Sequence, residues 1–176
     1  MNEEILDKRL IHISSSNCEF LGNNFAMYYN LQESVKNVIY IKVMKCEVVL
    51  NPSNAINGIE IQDGDSIFVD LKKYNRLYTN INGKNVKCFE QITLNISEKF
   101  GTTVPNKLVS FKTEYTTTGC TINDTNTFVL DPMEPNLKRI DVELYDKNYN
   151  IIPKSSIKSL VLLLCIYSCR KKVTMA

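Results

Sequence analysis

β-Branched residues dominate this chain, and they restrict the folds that it can adopt more than any other feature. Among its 176 residues, Ile, Val and Thr together number 43, whereas Ala numbers 3. Side chains branched at Cβ lose rotamer freedom in a helix but fit the pleated surface of a strand, and Ala behaves in the opposite way. The composition therefore predicts an all-β protein and excludes a long helical bundle.

Short runs of β-forming residues follow one another, with turn-forming residues between them. The strongest run covers 38–50 and ends at Asn51-Pro52-Ser53. Asp63-Gly64 and Asn82-Gly83 predict hairpin turns, because these residue types tolerate positive φ angles. About nine to eleven short strands at this spacing are typical of a sandwich or a barrel.

Length and charge indicate one domain with an ordinary surface. A single core usually takes roughly 100–200 residues. The net charge of +2 indicates neither an acidic disordered tail nor a strongly basic protein, and no specific nucleic acid is expected as a partner. Because the first residues are polar and charged, we predict a flexible arm over 1–9 and one domain over 10–176.

The longest apolar run, Leu160 to Tyr167, is predicted to form the closing strand. It is less than half of the roughly 20 residues that a membrane-spanning helix needs, so no membrane span is expected. A run of this length suits a strand buried on both faces. Leu162 and Leu163 would then point to opposite sides, and both would be buried.

The six cysteines are predicted to be reduced and free of metal. They lie at positions 18, 46, 88, 120, 165 and 169, without a Cys-x-x-Cys pair. The first ten residues lack the apolar core of a signal peptide, which favours synthesis in the cytoplasm and argues against disulfides. Cys165 and Cys169 would face the same side of a strand, but a zinc site needs two further ligands.

Few residues could support catalysis. His12 is the only histidine, and a polar position in an alternating strand explains it better than a Cys–His nucleophile pair. Asp63 and Asp65 resemble part of a calcium loop, but the downstream carboxylates are missing. Asp141 and Glu143 alternate with apolar residues, as on the solvated face of a half-buried strand. We therefore expect no enzyme, no cofactor, no metal and no small-molecule substrate.

Several segments resemble one known family. In chain order they are SSSN (14–17), NFAMYY (24–29), VKNVIYIK (35–42), VLNPS (49–53) and LKRIDVELYDKN (137–148). They resemble the small capsid proteins of nucleo-cytoplasmic large DNA viruses and virophages. The last segment departs from the family in one respect, since its turn carries Asn148 and no Gly. Asn also enters the left-handed region, so the departure is tolerable.

The resemblance implies a fold and a role. The implied fold is a single jelly-roll sandwich of two antiparallel four-stranded sheets with Greek-key connections. In that family the single jelly-roll protein is the penton, a homopentamer that closes the icosahedral vertices. Its implied partners are the double jelly-roll major capsid protein, which is much longer than this chain, and other minor capsid proteins. The implied location is the virion, after synthesis in the host cytoplasm.

Two alternative functions stay open. One is an internal minor capsid (cement) protein beneath the major capsid shell. The other is a receptor- or carbohydrate-binding jelly-roll module with a pocket in its end loops. Lectin-like sites usually combine aromatic and acidic residues in loops, whereas the loops here are mainly Asn, Lys and Thr. A cupin-type metalloenzyme is disfavoured by the single histidine.

Overall fold

The computed structural model describes residues 4–51, 55–56, 58–62, 64–93, 110–114 and 126–171. Strands make up 74% of it and helix makes up 7%. The helical part consists of three short 3-10 turns, Ser15–Asn17, Lys72–Tyr74 and Lys154–Ser156. Within the described ranges, no helix has the length and apolar character needed to cross a membrane. The prediction of an all-β protein is confirmed.

Twelve antiparallel strands are present in the described ranges. They are β1 (Glu4–Ser14), β2 (Glu19–Phe20), β3 (Ala26–Leu50), β4 (Ala55–Ile56), β5 (Ile59–Glu60), β6 (Ser66–Asp70), β7 (Leu77–Ile81), β8 (Lys84–Cys88), β9 (Glu90–Thr93), β10 (Ser110–Glu114), β11 (Thr127–Tyr145) and β12 (Ile157–Lys171). The main sheet has eight strands, in the order β1-β12-β3-β11-β6-β9, and β10 and β2 also pair with β3. Two small sheets contain β4–β5 and β7–β8.

The long strand β3 organises the main sheet. Its first half pairs with β11, from Ala26 opposite Glu143 to Lys36 opposite Asn136. Its second half, from Val38 to Leu50, pairs with β12, and β10 and the start of β11 also pair with it. The sequence predicts two separate strands here, 25–31 and 38–50, but the structure joins them because β11 pairs with both segments.

β11 is likewise continuous, although the segment Asp131-Pro132-Met133-Glu134-Pro135 predicts a rigid, extended connection between two strands. Its pairing with β3 shifts register between Val129 and Glu134. This segment contains Pro132, which has no backbone N–H to donate to a ladder, so extra residues at a bulge fit the sequence. The strand then resumes its pairing with β3 and ends at Tyr145.

The first strand begins earlier than the sequence predicts. Residues 4–9, expected to form a flexible arm, belong to β1 and pair with β12 from Glu4–Lys171 onward. Backbone hydrogen bonds to a neighbouring strand do not depend on apolar side chains, so a polar segment can still be ordered by β12. An ion pair of 2.9 Å between Asp7 Oδ2 and Arg170 Nε joins the same two strands.

The closing strand β12 lies between β1 and β3, but it is not buried on both faces. Leu160, Leu162 and Leu164 are fully buried in the core. On the opposite face Cys165 is buried, whereas Val161 and Leu163 are only half-buried. The prediction of burial on both faces is therefore wrong at these two positions. Their neighbours on β3 are Glu47 and Lys45, two charged residues whose side chains are about one-third exposed. These side chains keep this part of the face open to water.

Two predicted hairpins have different outcomes. Asn82 and Gly83 form the turn between β7 and β8 with φ angles of 51° and 80°, so this hairpin is confirmed. The turn before β6 also exists, with the Asp65 N–H donating to the Gln62 carbonyl at 3.1 Å. However, β5 pairs with β4 and β6 pairs with β9, so the hairpin predicted around Gly64 is wrong.

Candidate functional site

Polar and aromatic side chains cover the outer face of the sheet where β11 meets β6. Glu143 on β11 lies opposite Asp70 on β6. Because strand side chains alternate, these two point away from the buried Val142 and Leu144. Their contacts define a cluster that we call the tyrosine ledge, composed of Asp70, Lys72, Glu143, Tyr145 and Tyr149.

Two stacked rings form the centre of the tyrosine ledge. The ring centroids of Tyr145 and Tyr149 are 4.4 Å apart and their planes differ by 11°. The Tyr145 hydroxyl donates to Glu143 Oε2 at 2.5 Å. The one hydrogen of the Tyr149 hydroxyl is shared between Asp70 Oδ2, at 3.2 Å, and the Lys87 carbonyl oxygen, at 3.1 Å. Lys72 Nζ forms an ion pair of 2.5 Å with Glu143. Each carboxylate of the ledge therefore accepts from one tyrosine hydroxyl.

Two residues of the ledge have an unfavourable backbone conformation. The φ angles of Tyr149 and Lys72 are 60° and 61°, and such conformations cost on the order of 1–3 kcal/mol for residues other than Gly. Hydrogen bonds hold both positions in place. Asp146 Oδ1 accepts two backbone N–H groups of the turn that contains Tyr149, both at 2.9 Å. Asp70 Oδ1 accepts the Lys72 N–H at 2.6 Å.

The ledge moves the pKa values of three of its side chains, Glu143, Tyr145 and Tyr149, away from neutrality. Desolvation and then the hydrogen bond to Glu143 raise the pKa of Tyr145 far above its usual range. Desolvation and the charge of Asp70 do the same to the pKa of Tyr149. Desolvation also acts to raise the pKa of Glu143, but hydrogen bonds from Lys72 and Tyr145 outweigh it and lower that pKa overall. An acid–base catalyst near neutral pH needs shifts in the opposite direction, so these shifts do not favour acid–base chemistry by these three groups.

The residues considered for chemistry from the sequence are engaged elsewhere. His12 is exposed on β1, opposite Leu163 of β12. Asp141 accepts from Arg139 at 2.6 Å. Asp65 pairs with a lysine, Lys147, at 3.2 Å, and its predicted companion Asp63 lies outside the described residues. In the ranges that the structure describes, no three His, Cys, Asp or Glu side chains are grouped so that they could hold a metal.

Four of the described cysteines, Cys18, Cys46, Cys88 and Cys165, are free thiols. Burial raises the pKa of Cys18 to about 11 and that of Cys88 to about 12. A thiol with a raised pKa is a poor nucleophile, because the thiolate is the reactive form. Cys120 lies outside the described residues.

Sequence reasoning missed the ledge, although part of its signal is visible. The turn after Asp146 is predictable, and Asp141 and Glu143 were correctly placed on a polar strand face. Nothing local indicates that Tyr149 adopts a left-handed conformation or that it contacts a residue 79 positions away, Asp70. Only the pairing of β11 with β6 brings these groups together.

One end of the main sheet, at β9, carries a buried ion pair. Arg76 and Glu90 are 2.7 Å apart, and their side chains are only 6% and 3% exposed. Glu90 lies opposite Val69 of β6, at the start of the four-residue strand β9. The Arg76 guanidinium also lies 5.4 Å from the centre of the Phe89 ring. This end of the sheet therefore combines a short strand with a buried charge.

The other end of the main sheet, at β1, is open. β1 has 11 residues and, among the described strands, pairs with β12 alone. Leu6 and Leu10 are 49% and 59% exposed. A groove of about 360 Å³ runs beside this strand, lined by residues 9–12 and by a segment of β3 that includes Tyr29 and Glu33. This edge is the candidate interaction surface of the molecule.

Comparison with known proteins adds no relationship to these observations. No family model matches the chain, and no curated protein sequence matches it either.

Proposed function

We propose that this chain is a structural subunit of a viral capsid, built as a single jelly roll. The proposal assigns it to the penton, a homopentamer that closes the icosahedral vertices of the virion next to the double jelly-roll major capsid protein. It combines the resemblance of the sequence to small capsid proteins with one structural observation, the order in which the strands pair.

The strand order supports the jelly-roll assignment. A jelly roll places its first, eighth, third and sixth strands in one sheet and its second, seventh, fourth and fifth strands in the other. If β3 is counted as two strands, β1, β12, the second half of β3 and β10 follow the first order. The first half of β3, β11, β6 and β9 follow the second. The short hairpins β4–β5 and β7–β8 are then insertions.

The contacts fit a subunit that works through its surfaces. A pentameric ring needs a heterologous contact, in which two different patches of neighbouring subunits meet and the rotation closes after five copies. The tyrosine ledge stabilises one broad outer face by internal hydrogen bonds and an ion pair. A shell protein benefits from such a face, because its role is to bear mechanical load and does not require catalytic groups.

A carbohydrate-binding role is the second candidate, and the tyrosine ledge is the observation that favours it. Stacked aromatic rings beside carboxylates are the combination found in many lectin-like sites. Against this role, the hydroxyls and carboxylates that would contact a sugar already bind one another. An internal minor capsid protein would share the fold and differ only in its position beneath the shell.

The direct test is to locate the chain in particles. Virus particles purified from the source of this sequence are analysed by mass spectrometry and by icosahedral reconstruction. The penton proposal expects the chain in the particles, with its density at the fivefold vertices. Density beneath the shell would support the minor capsid role instead. Absence of the chain from purified particles would contradict a capsid function altogether.

A further inference from the structure

Among the described strands only β12 pairs with β1, and the other edge of β1 has the features of a strand that accepts another strand. Exposed backbone N–H and C=O groups along an edge form a template for pairing with a second chain. Here the edge is 11 residues long and lies beside a groove of about 360 Å³. The exposed side chains of Leu6 and Leu10 on one face would be covered by an added strand.

Symmetry restricts how a second copy could pair with this edge. In an isologous dimer, residue i of one copy faces residue j of the other, and j faces i. Directly opposed residues of an antiparallel pair point to the same face of the sheet. Because faces alternate along a strand, the two opposed residue numbers must differ by an even number. One residue then lies on the twofold axis and faces its own copy.

Charge and apolar character select Lys8 as the residue on the axis. In that register Asp7 of each copy faces Arg9 of the other copy, and Leu6 of each copy faces Leu10 of the other. Each of the three registers opposes one like-charge pair on the axis, Lys8 with Lys8 in the chosen one. An axis at Asp7 or at Arg9 would form no opposite-charge pair and would place a leucine against Lys8. Lys8 itself is exposed, so its flexible side chain can turn into solvent. The side chains of Asp7 and Arg9 are about half exposed, at 46% and 48%, and can reach a second partner.

We propose that β1 pairs antiparallel with β1 of a second copy, centred on Lys8, and so continues the sheet across a twofold dimer. The new Asp7–Arg9 pairs would extend ion pairs that exist within each copy, those of Asp7 with Arg170 and of Arg9 with Glu33. This contact is isologous, whereas the proposed penton ring is heterologous. The dimer therefore goes beyond the capsid role, and either proposal can fail without the other.

A charge-swap experiment tests the register. Sedimentation velocity is measured over a series of concentrations for the wild type, Asp7→Arg, Arg9→Asp and the double variant. Each single change puts two like-charge pairs at the contact and should weaken dimerisation at least about tenfold. The double variant restores opposite charges between the copies, although each swapped side chain then lies beside a like charge of its own copy, Arg170 or Glu33. It should therefore dimerise more tightly than either single variant. Thermal melting of all four proteins checks that each one is folded.

Cross-linking gives a second, independent readout. Opposed Cα atoms of an antiparallel pair are about 4.5–5.5 Å apart, which is within the range of a disulfide. Lys8→Cys should therefore form an intermolecular disulfide rapidly under mild oxidation, whereas the control Arg9→Cys faces Asp7 and should not. A wild type that stays monomeric at its highest soluble concentration would overturn the proposal. Single swaps without effect, or equal cross-linking at both positions, would also overturn it.

Discussion

The two ends of the eight-stranded sheet finish in opposite ways. At one end, β9 is four residues long and Glu90 is buried there with Arg76. At the other end, β1 is 11 residues long, beside an open groove, with Leu6 and Leu10 exposed. Short strands and inward-pointing charges are ways in which natural sheets avoid pairing with other chains. β9 uses both, whereas β1 is long and carries its charges, Asp7, Lys8 and Arg9, at half-exposed or exposed positions.

This difference is the basis for the proposal that β1 pairs with a second copy. A protected edge limits the sheet at β9, whereas the open edge allows it to continue at β1. The ledge lies on a face and not on an edge, and its polar groups are satisfied internally. Stability and association are thus assigned to different regions, which can be perturbed one at a time.

The largest expected effect is the loss of β12, the strand that supports the open edge. Leu162→Asp places a carboxylate in a fully buried position, where a lost leucine alone costs roughly 2–5 kcal/mol of a total stability of about 5–15 kcal/mol. We expect no soluble folded protein. Leu163→Asp is the matched control, because Leu163 is half-buried, and it should fold with a lowered Tm. Soluble yield and thermal melting measure both variants. A wild-type Tm for Leu162→Asp would contradict the packing of β12.

The protected edge should depend strongly on its buried ion pair. Glu90→Gln leaves the Arg76 charge in a position that is only 6% exposed, and breaking such a pair typically costs about 3–5 kcal/mol. Glu47→Gln is the control, since the Lys45–Glu47 pair has a longer distance of 3.9 Å and is about one-third exposed. It should change the free energy of unfolding by less than about 1 kcal/mol. Equal effects in denaturant unfolding would argue against a buried charge at β9.

A smaller effect is expected from the turn that positions Tyr149. Asp146→Ala removes the acceptor of two backbone N–H groups, which should lower the free energy of unfolding by about 1–3 kcal/mol. Asp141→Ala is the control, because Asp141 forms an exposed pair with Arg139 and its loss should cost less than about 1 kcal/mol. If both variants melt alike, the turn does not hold the ledge in place.

The ledge should also make stability depend on pH. Its contacts lower the pKa of Glu143 below the reference value of 4.5. A carboxyl group with a lowered folded-state pKa stabilises the protein above its unfolded pKa, and this contribution is lost as the pH falls through the folded-state pKa. The stability difference between wild type and Glu143→Gln should therefore shrink as the pH is lowered from 7 to below about 4. Denaturant unfolding at several pH values measures it, and a constant difference would count against the ledge contacts.

Local patterns predicted the features that depend on neighbouring residues. The β-branched composition predicted the fold class, and Asn82-Gly83 predicted the β7–β8 turn. The apolar run from Leu160 predicted β12, since a continuous run of this length suits a strand inside a sheet. For the β7–β8 turn and for β12, the residues that carry the sequence pattern lie within the structural element that they predict.

Features that depend on distant pairing were missed. Residues 4–9 look like an arm by composition, yet β12 supplies their hydrogen bonds. The half-burial of Leu163 depends on Lys45, its neighbour on β3. The conformation of Tyr149 depends on partners that include Asp70 on another strand. Composition and periodicity carry no information about which strands become neighbours, so these outcomes required the structure.

Residue-resolved amide hydrogen exchange tests the contrast between the two edges most directly. In dilute protein, alternate amides of β1 should exchange fast, because every second N–H of an edge strand points away from its neighbour, while amides of β12 should exchange slowly. As the concentration rises, the fast β1 amides should become protected and those of β9 should not change. Uniformly slow exchange along β1 in dilute protein would contradict an open edge. Concentration-dependent protection at β9 would contradict a protected one.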